Sequence, residues 1–102
     1  MRVTFYIPAP LRPFSEGKGE VQIESSATVL CDALTALWAR YPGIRDRVVD
    51  EQGQIREHVN VFVGNENVRY TGVLRTPLSK DAEITILPAI SGGSTSKTSS
   101  RT

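Results

Sequence analysis

Thr28-Val-Leu-Cys-Asp-Ala-Leu-Thr-Ala-Leu-Trp-Ala-Arg-Tyr-Pro-Gly43 is the stretch that decides the fold. Within it Leu30, Ala33, Leu34, Leu37, Trp38 and Tyr41 recur at three- and four-residue spacing, which lines them along one side of an α-helix. Thr28 stands where an N-cap hydroxyl would accept a free first-turn N–H. Pro42-Gly43 ends the helix, because proline has no N–H to donate and disfavours helical backbone at Tyr41. A helix with one apolar side needs one apolar surface to lie on.

That surface reads as strands on both sides of the helix. Val3, Phe5 and Ile7 alternate with Thr4 and Tyr6, the period of a half-buried strand. The stretch from Pro8 to Gly19 holds Pro8, Pro10, Pro13, Gly17 and Gly19 and predicts a loop rather than a tight hairpin. Val21 and Ile23, alternating with Glu20, Gln22 and Glu24, give a second strand antiparallel to the first. Downstream, Ile44–Val49 predicts a short second helix and Asp50–Gly53 a turn. Val59, Val61 and Val63 alternate with His58, Asn60 and Phe62 as a third strand. Gly64–Asn67 predicts a turn, Val68–Tyr70 a short returning strand and Thr71–Ala82 an irregular stretch. Glu83–Leu87 is the last strand, ended by Pro88.

One main helix covers only one face of a sheet, so the class is α+β: a mixed four- to five-stranded sheet with the helix packed on one side. If the last strand runs parallel beside the first, the helix becomes the crossover between two hairpins, the β-grasp (ubiquitin-like) arrangement. The folded domain spans approximately residues 1–90 and a diglycine tail spans 91–93. From Ser94 the chain carries no apolar residue, so 94–102 is expected to be disordered.

Composition excludes several function classes. With 102 residues there is room for one domain. Lys plus Arg is 12 and Asp plus Glu 11, a net charge of +1, too little for a nucleic-acid binder held by a general phosphate field. One Cys and one His make neither a disulfide framework nor a four-ligand zinc site, so no metal is expected. No apolar run reaches the ~20 residues of a membrane span. With no leader pattern at Met1–Ile7, the expectation is a cytoplasmic protein, monomeric when alone.

Catalytic constellations are poor. His58 has no nucleophile or second His beside it and reads as a sheet or surface histidine. Cys31, next to the apolar stripe, is expected to pack as a small hydrophobe. Glu16-Gly-Lys-Gly-Glu20 lacks the spacing of a phosphate loop. The chain is therefore expected to be no enzyme. Gly92-Gly93 remains, following the last strand after Ala89, Ile90 and Ser91. Two residues without Cβ thread a channel that side chains would block. Ser91–Gly93, extended, would carry a terminal carboxylate ~10 Å from the domain. The bland alternative is a glycine-serine linker.

These features resemble the ThiS/MoaD family of ubiquitin-like sulfur carriers over approximately residues 1–93. The residues that carry the resemblance are Ile7-Pro8 with Leu11-Arg12-Pro13, then Tyr41, Gly43 and Ile44. They continue with Val59-Asn60-Val61 and Val63, with Val68-Arg69 and Gly72, and with Ile84 to Gly93. The resemblance is greatest to the carriers of a cysteine pathway that uses O-phosphoserine. It implies that an ATP-dependent adenylating enzyme activates the carboxyl of Gly93 and that a sulfur donor, through a sulfurtransferase, converts it to a thiocarboxylate. A sulfur-accepting synthase then uses that sulfur, first of all for cysteine. ATP, the sulfur donor and pyridoxal phosphate belong to those partners; the carrier itself binds none. Here Ser94–Thr102 follow Gly93, so the resemblance also implies a JAMM-type zinc peptidase cutting between Gly93 and Ser94.

A carrier must dock. If Val59, Val61 and Val63 face the helix, Phe62 faces away, and Tyr6 and Leu87 fall on the same open face as a partner patch. The alternative is scattered surface hydrophobes. Arg69 and Arg75 read as solvated charges. Three other roles stay open: a MoaD-like small subunit of molybdopterin synthase (or a thiamine or specialised-metabolite carrier), a protein modifier joined through Gly93 to lysines, and a non-covalent β-grasp binding module.

Overall fold

The structure, a computed structural model, describes residues 1–88. Strands β1 (Arg2–Tyr6) and β2 (Glu20–Glu24) pair antiparallel, and helix α1 (Leu30–Arg40) follows. A second helix, α2 (Pro42–Val48), leads into β3 (Val59–Val63), the two-residue β4 (Glu66–Asn67) and β5 (Glu83–Pro88). The sheet order is β2-β1-β5-β3-β4. β5 lies at its centre, parallel to β1 and antiparallel to β3. This is the ubiquitin-like β-grasp read from the alternation of strands about one helix.

Periodicity fixes the core. Val3, Phe5 and Ile7, Val59 and Val61, and Ile84 and Ile86 turn to the helix side and are almost wholly buried against Leu30, Ala33, Leu34 and Leu37. Tyr41, Ile44 and Val48 close one end. Each fully buried Leu, Ile or Phe contributes about 1.5–3 kcal/mol of burial free energy, which makes this cluster the dominant favourable term for so small a chain. Trp38, expected on the stripe, is only half-buried at its edge.

Several local expectations are corrected. Thr28 does not cap α1: the N-cap position is Val29, with no side-chain cap. The segment before β5 crosses the helix N-terminus instead. Leu30 N–H donates to Thr76 O at 2.9 Å, and Leu78 N–H donates to Thr28 O at 2.9 Å. Backbone from 46 residues away in sequence thus satisfies the first turn, which no local signal encodes. Pro42 both ends α1 and opens α2 as its first residue, where a missing N–H costs nothing. Residues 8–19 are not all irregular, since Ala9–Ser15 forms a 3₁₀-helix. The returning strand is Glu66–Asn67, while Val68–Tyr70 is a 3₁₀ turn. Gly64, at φ +60, makes the hairpin tight enough that β4 begins two residues earlier than the valine pattern suggests. Cys31 is exposed rather than packed, because it sits one position off the buried stripe.

Gly92, Gly93, Ser91 and Ser94, with the 91–93 and 94–102 divisions, lie outside the described residues.

Candidate docking face and chain exit

Register decides which side chains share the open face. Tyr6 pairs with Glu20 on β2 and with Thr85 on β5, and Phe62 pairs with Thr85 from the other side and with Asn67 on β4. Glu20, Tyr6, Thr85, Phe62 and Asn67 therefore form one row across the sheet, on the face away from α1. Leu87, one strand period beyond Thr85, shares that face opposite Asn60 and is 47% exposed. The structure thus brings Tyr6, Phe62 and Leu87 to one side. Its counterpart, the turning of Val59 and Val61 to the helix, holds, while Val63 at the hairpin end is only half-buried.

The rim of this face is polar. Asn67 Nδ2 donates to Asn60 Oδ1 at 3.2 Å beside Phe62. The negative charge of Glu83, followed by partial desolvation and the charge of Glu20, raises the Tyr6 phenol above its ordinary value of 10.0. Tyr6 therefore stays neutral across the physiological range and presents its hydroxyl as a donor. Sequence reading missed Glu20, Glu83, Asn60 and Asn67 as neighbours of the apolar patch. Strand alternation carried the parity of each residue, but their juxtaposition required the register.

Among the described residues, His58 and Cys31 are the only histidine and cysteine. His58 is exposed in the turn before β3. Cys31 borders a surface cavity of about 510 Å³ with Val29, Asp32, Val73 and Leu74, and no histidine stands among its lining residues. Among the described residues no cluster of His, Cys, Asp or Glu is arranged to hold a metal, and no helix is long and apolar enough to cross a membrane. Pro88, paired with Val59, is the last described residue, and Gly92 follows four positions later. β5 is the central strand; its pairing with β1 ends at Thr85, and β3 alone pairs with its last residue through Val59↔Pro88.

The chain is similar to known proteins over most of its length. The ThiS family model matches residues 5–93. The sulfur carrier protein CysO of Mycobacterium tuberculosis is 38% identical over 95 residues, covering 91% of this chain and all of that one. Small archaeal modifier protein 3 of Haloferax volcanii is 31% identical over 72 residues, 71% of this chain and 76% of its own length. A crystal structure of the BexX/CysO complex of Amycolatopsis orientalis contains a chain that matches with a TM-score of 0.80 at 33% identity, over 89% of this chain and 99% of that one. A β-grasp domain whose central last strand leads to a diglycine, matched from β1 to Gly93, belongs to the ThiS family.

Proposed function

We propose that this chain is a sulfur carrier whose reactive group is the carboxyl of Gly93, and that it is a substrate of its partner enzymes rather than an enzyme. The observation that carries this reading is the extent of the family match, which spans residues 5–93 and so ends at Gly93. A carboxylate is a poor electrophile. An ATP-dependent enzyme would transfer AMP to the Gly93 carboxylate and release pyrophosphate. Sulfide delivered by a sulfur donor would then displace AMP, leaving a C-terminal thiocarboxylate. Its sulfur is the nucleophile that a synthase directs at an activated acceptor, and similarity to CysO favours cysteine synthesis, with pyridoxal phosphate held by the synthase.

The Gly93–Ser94 bond in this sequence is an amide, so activation would follow hydrolysis there by a JAMM-type zinc peptidase using metal-activated water. Tyr6, Phe62 and Leu87 would form the patch on which these enzymes dock. Intact-mass measurement of untagged protein from its native cells tests the reading. A species ending at Gly93, part of it heavier by one oxygen-to-sulfur exchange, is expected; retention of Ser94–Thr102 in every molecule would overturn it. Similarity to a small archaeal modifier protein favours a second reading, conjugation of Gly93 to lysines. That reading would appear as covalent ladders on a denaturing gel.

A further inference from the structure

Ten basic and eleven acidic residues lie between Met1 and Pro88, a net charge of −1, yet they are not evenly spread. Arg12 and Arg69 are tethered at the end of the sheet where β5 finishes, and Arg47 and Arg56 are tethered around α2, which packs on the 3₁₀-helix that carries Arg12. Arg12 Nε donates to Ile7 O at 3.1 Å, just past the end of β1, the parallel neighbour of β5. Its guanidinium lies so close over Gly19 that a Cβ there would come within 2.8 Å of Nη2. The Arg47 guanidinium stacks 4.8 Å from the centroid of the Phe14 ring. Arg56 Nε donates to Asp46 O at 3.0 Å, and Arg69 Nη2 donates to Glu57 O at 2.8 Å, two residues before the Val59 that pairs with Pro88.

Every one of these tethers is a backbone carbonyl or an aromatic ring. Among the described residues none of the four has a carboxylate within ion-pair distance; the two ion pairs found are Arg2–Glu24 and Arg45–Asp46. Each arginine has thus lost part of its freedom without losing its charge, and each keeps guanidinium N–H groups to offer. Guanidinium groups held near one another without close ion pairs repel each other. A matching negative surface would remove that repulsion, because fixed guanidinium forks bind carboxylates bidentately.

We propose that the end of the domain around Pro88 is a cationic collar that docks on an acidic protein surface, a rim of Asp and Glu around the entrance that receives the residues after β5. The collar is distinct from the Tyr6–Phe62–Leu87 face, which lies on the side of the sheet away from α1. It rests on the carrier reading only in that the partner is an enzyme taking the tail. The charges there set association rate and orientation, and the apolar face supplies the rest of the contact.

Arginine Nε–H resonances of the full-length, nitrogen-labelled protein test this, with a ten-residue polyglutamate peptide as the acidic probe. Inorganic phosphate and ATP serve as the competing anions. Saturable shifts at Arg12, Arg47, Arg56 and Arg69, with Arg75 unmoved, are expected, and they should fade as salt is raised toward ~0.15 M, where the Debye length is about 8 Å. The pair Arg47→Gln and Arg56→Gln should weaken peptide binding about tenfold, while Arg75→Gln leaves it unchanged. Gly19→Ala, which displaces Arg12 without altering charge, should weaken it less. Shifts spread equally over all arginines, no shifts at all, or tighter saturation by phosphate or ATP than by the peptide would each overturn the proposal. Thiocarboxylate formation is read separately by mass, so failure of the collar and failure of the carrier reading are distinguishable.

Discussion

Tyr6 and Phe62 flank the same residue, Thr85, from opposite sides, one through the parallel pairing of β1 with β5 and the other through the antiparallel pairing of β3 with β5. An apolar row is thereby built from residues 56 positions apart, on the face the helix leaves uncovered. Each of its two ends rests on β5, the strand that leads to the diglycine.

Phe62→Ala should separate docking from folding. The ring is half-buried on the open face and outside the main core, so the folded state should lose only about 1 kcal/mol. On the proposed docking role, association with an adenylating enzyme should weaken by about tenfold or more, as for an aromatic anchor in an interface. Thermal unfolding and the carrier dependence of adenylation, measured side by side, check both halves.

Tyr6 should titrate late. Glu83 and Glu20 oppose formation of the phenolate, so the folded chain holds the proton at pH values where the unfolded chain, with its ordinary value of 10.0, has released it. Stability linked to this group is constant below that value and is lost as pH rises through the folded one. Glu83→Gln, which removes the largest cause, should lower the midpoint of the phenolate absorbance titration. An unchanged midpoint would contradict the electrostatic origin.

Thr76 ties the segment before β5 to the start of α1. It is 4% exposed; its hydroxyl donates to Val73 O at 2.7 Å and meets Thr71 Oγ1 at 3.0 Å, while its carbonyl accepts Leu30 N–H. Thr76→Val keeps the shape but removes two part-buried hydroxyl bonds, at a cost of about 1 kcal/mol. For a domain of this size, that lowers Tm by roughly 4–8 °C per kcal/mol. Thr28→Ala, by contrast, should leave Tm almost unchanged, since its side chain caps nothing.

Cys31 should react with an alkylating reagent in the folded protein, because its side chain is exposed on α1. The rate under native conditions should lie close to the rate in denaturant. Protection until unfolding would mean that the thiol packs inward after all.

The strands and the main helix were legible because their apolar periods are unbroken: Val3-Phe5-Ile7, Val59-Val61 and Leu30-Ala33-Leu34-Leu37 each match one period. The short elements were less so. Val68 looked like strand because it is β-branched and follows a turn, but the Gly64 hairpin had already used the two pairing positions. Cys31 looked buried because it stands between stripe residues, and a helix rotates by about 100° per position, enough to turn it out. The diglycine was legible as a motif, through its place after the last strand.

By itself the sequence determined the element order, the parity of every strand residue and the glycine pair that ends the family match, since each depends on neighbours close along the chain. Tertiary structure alone decided which open-face residues meet across β5, how Thr76 and Leu78 complete the start of α1, and that Arg12, Arg47, Arg56 and Arg69 are each tethered by a backbone or ring partner. The first two relationships join residues tens of positions apart, and only the packing of the sheet against one helix fixes the register that brings them together.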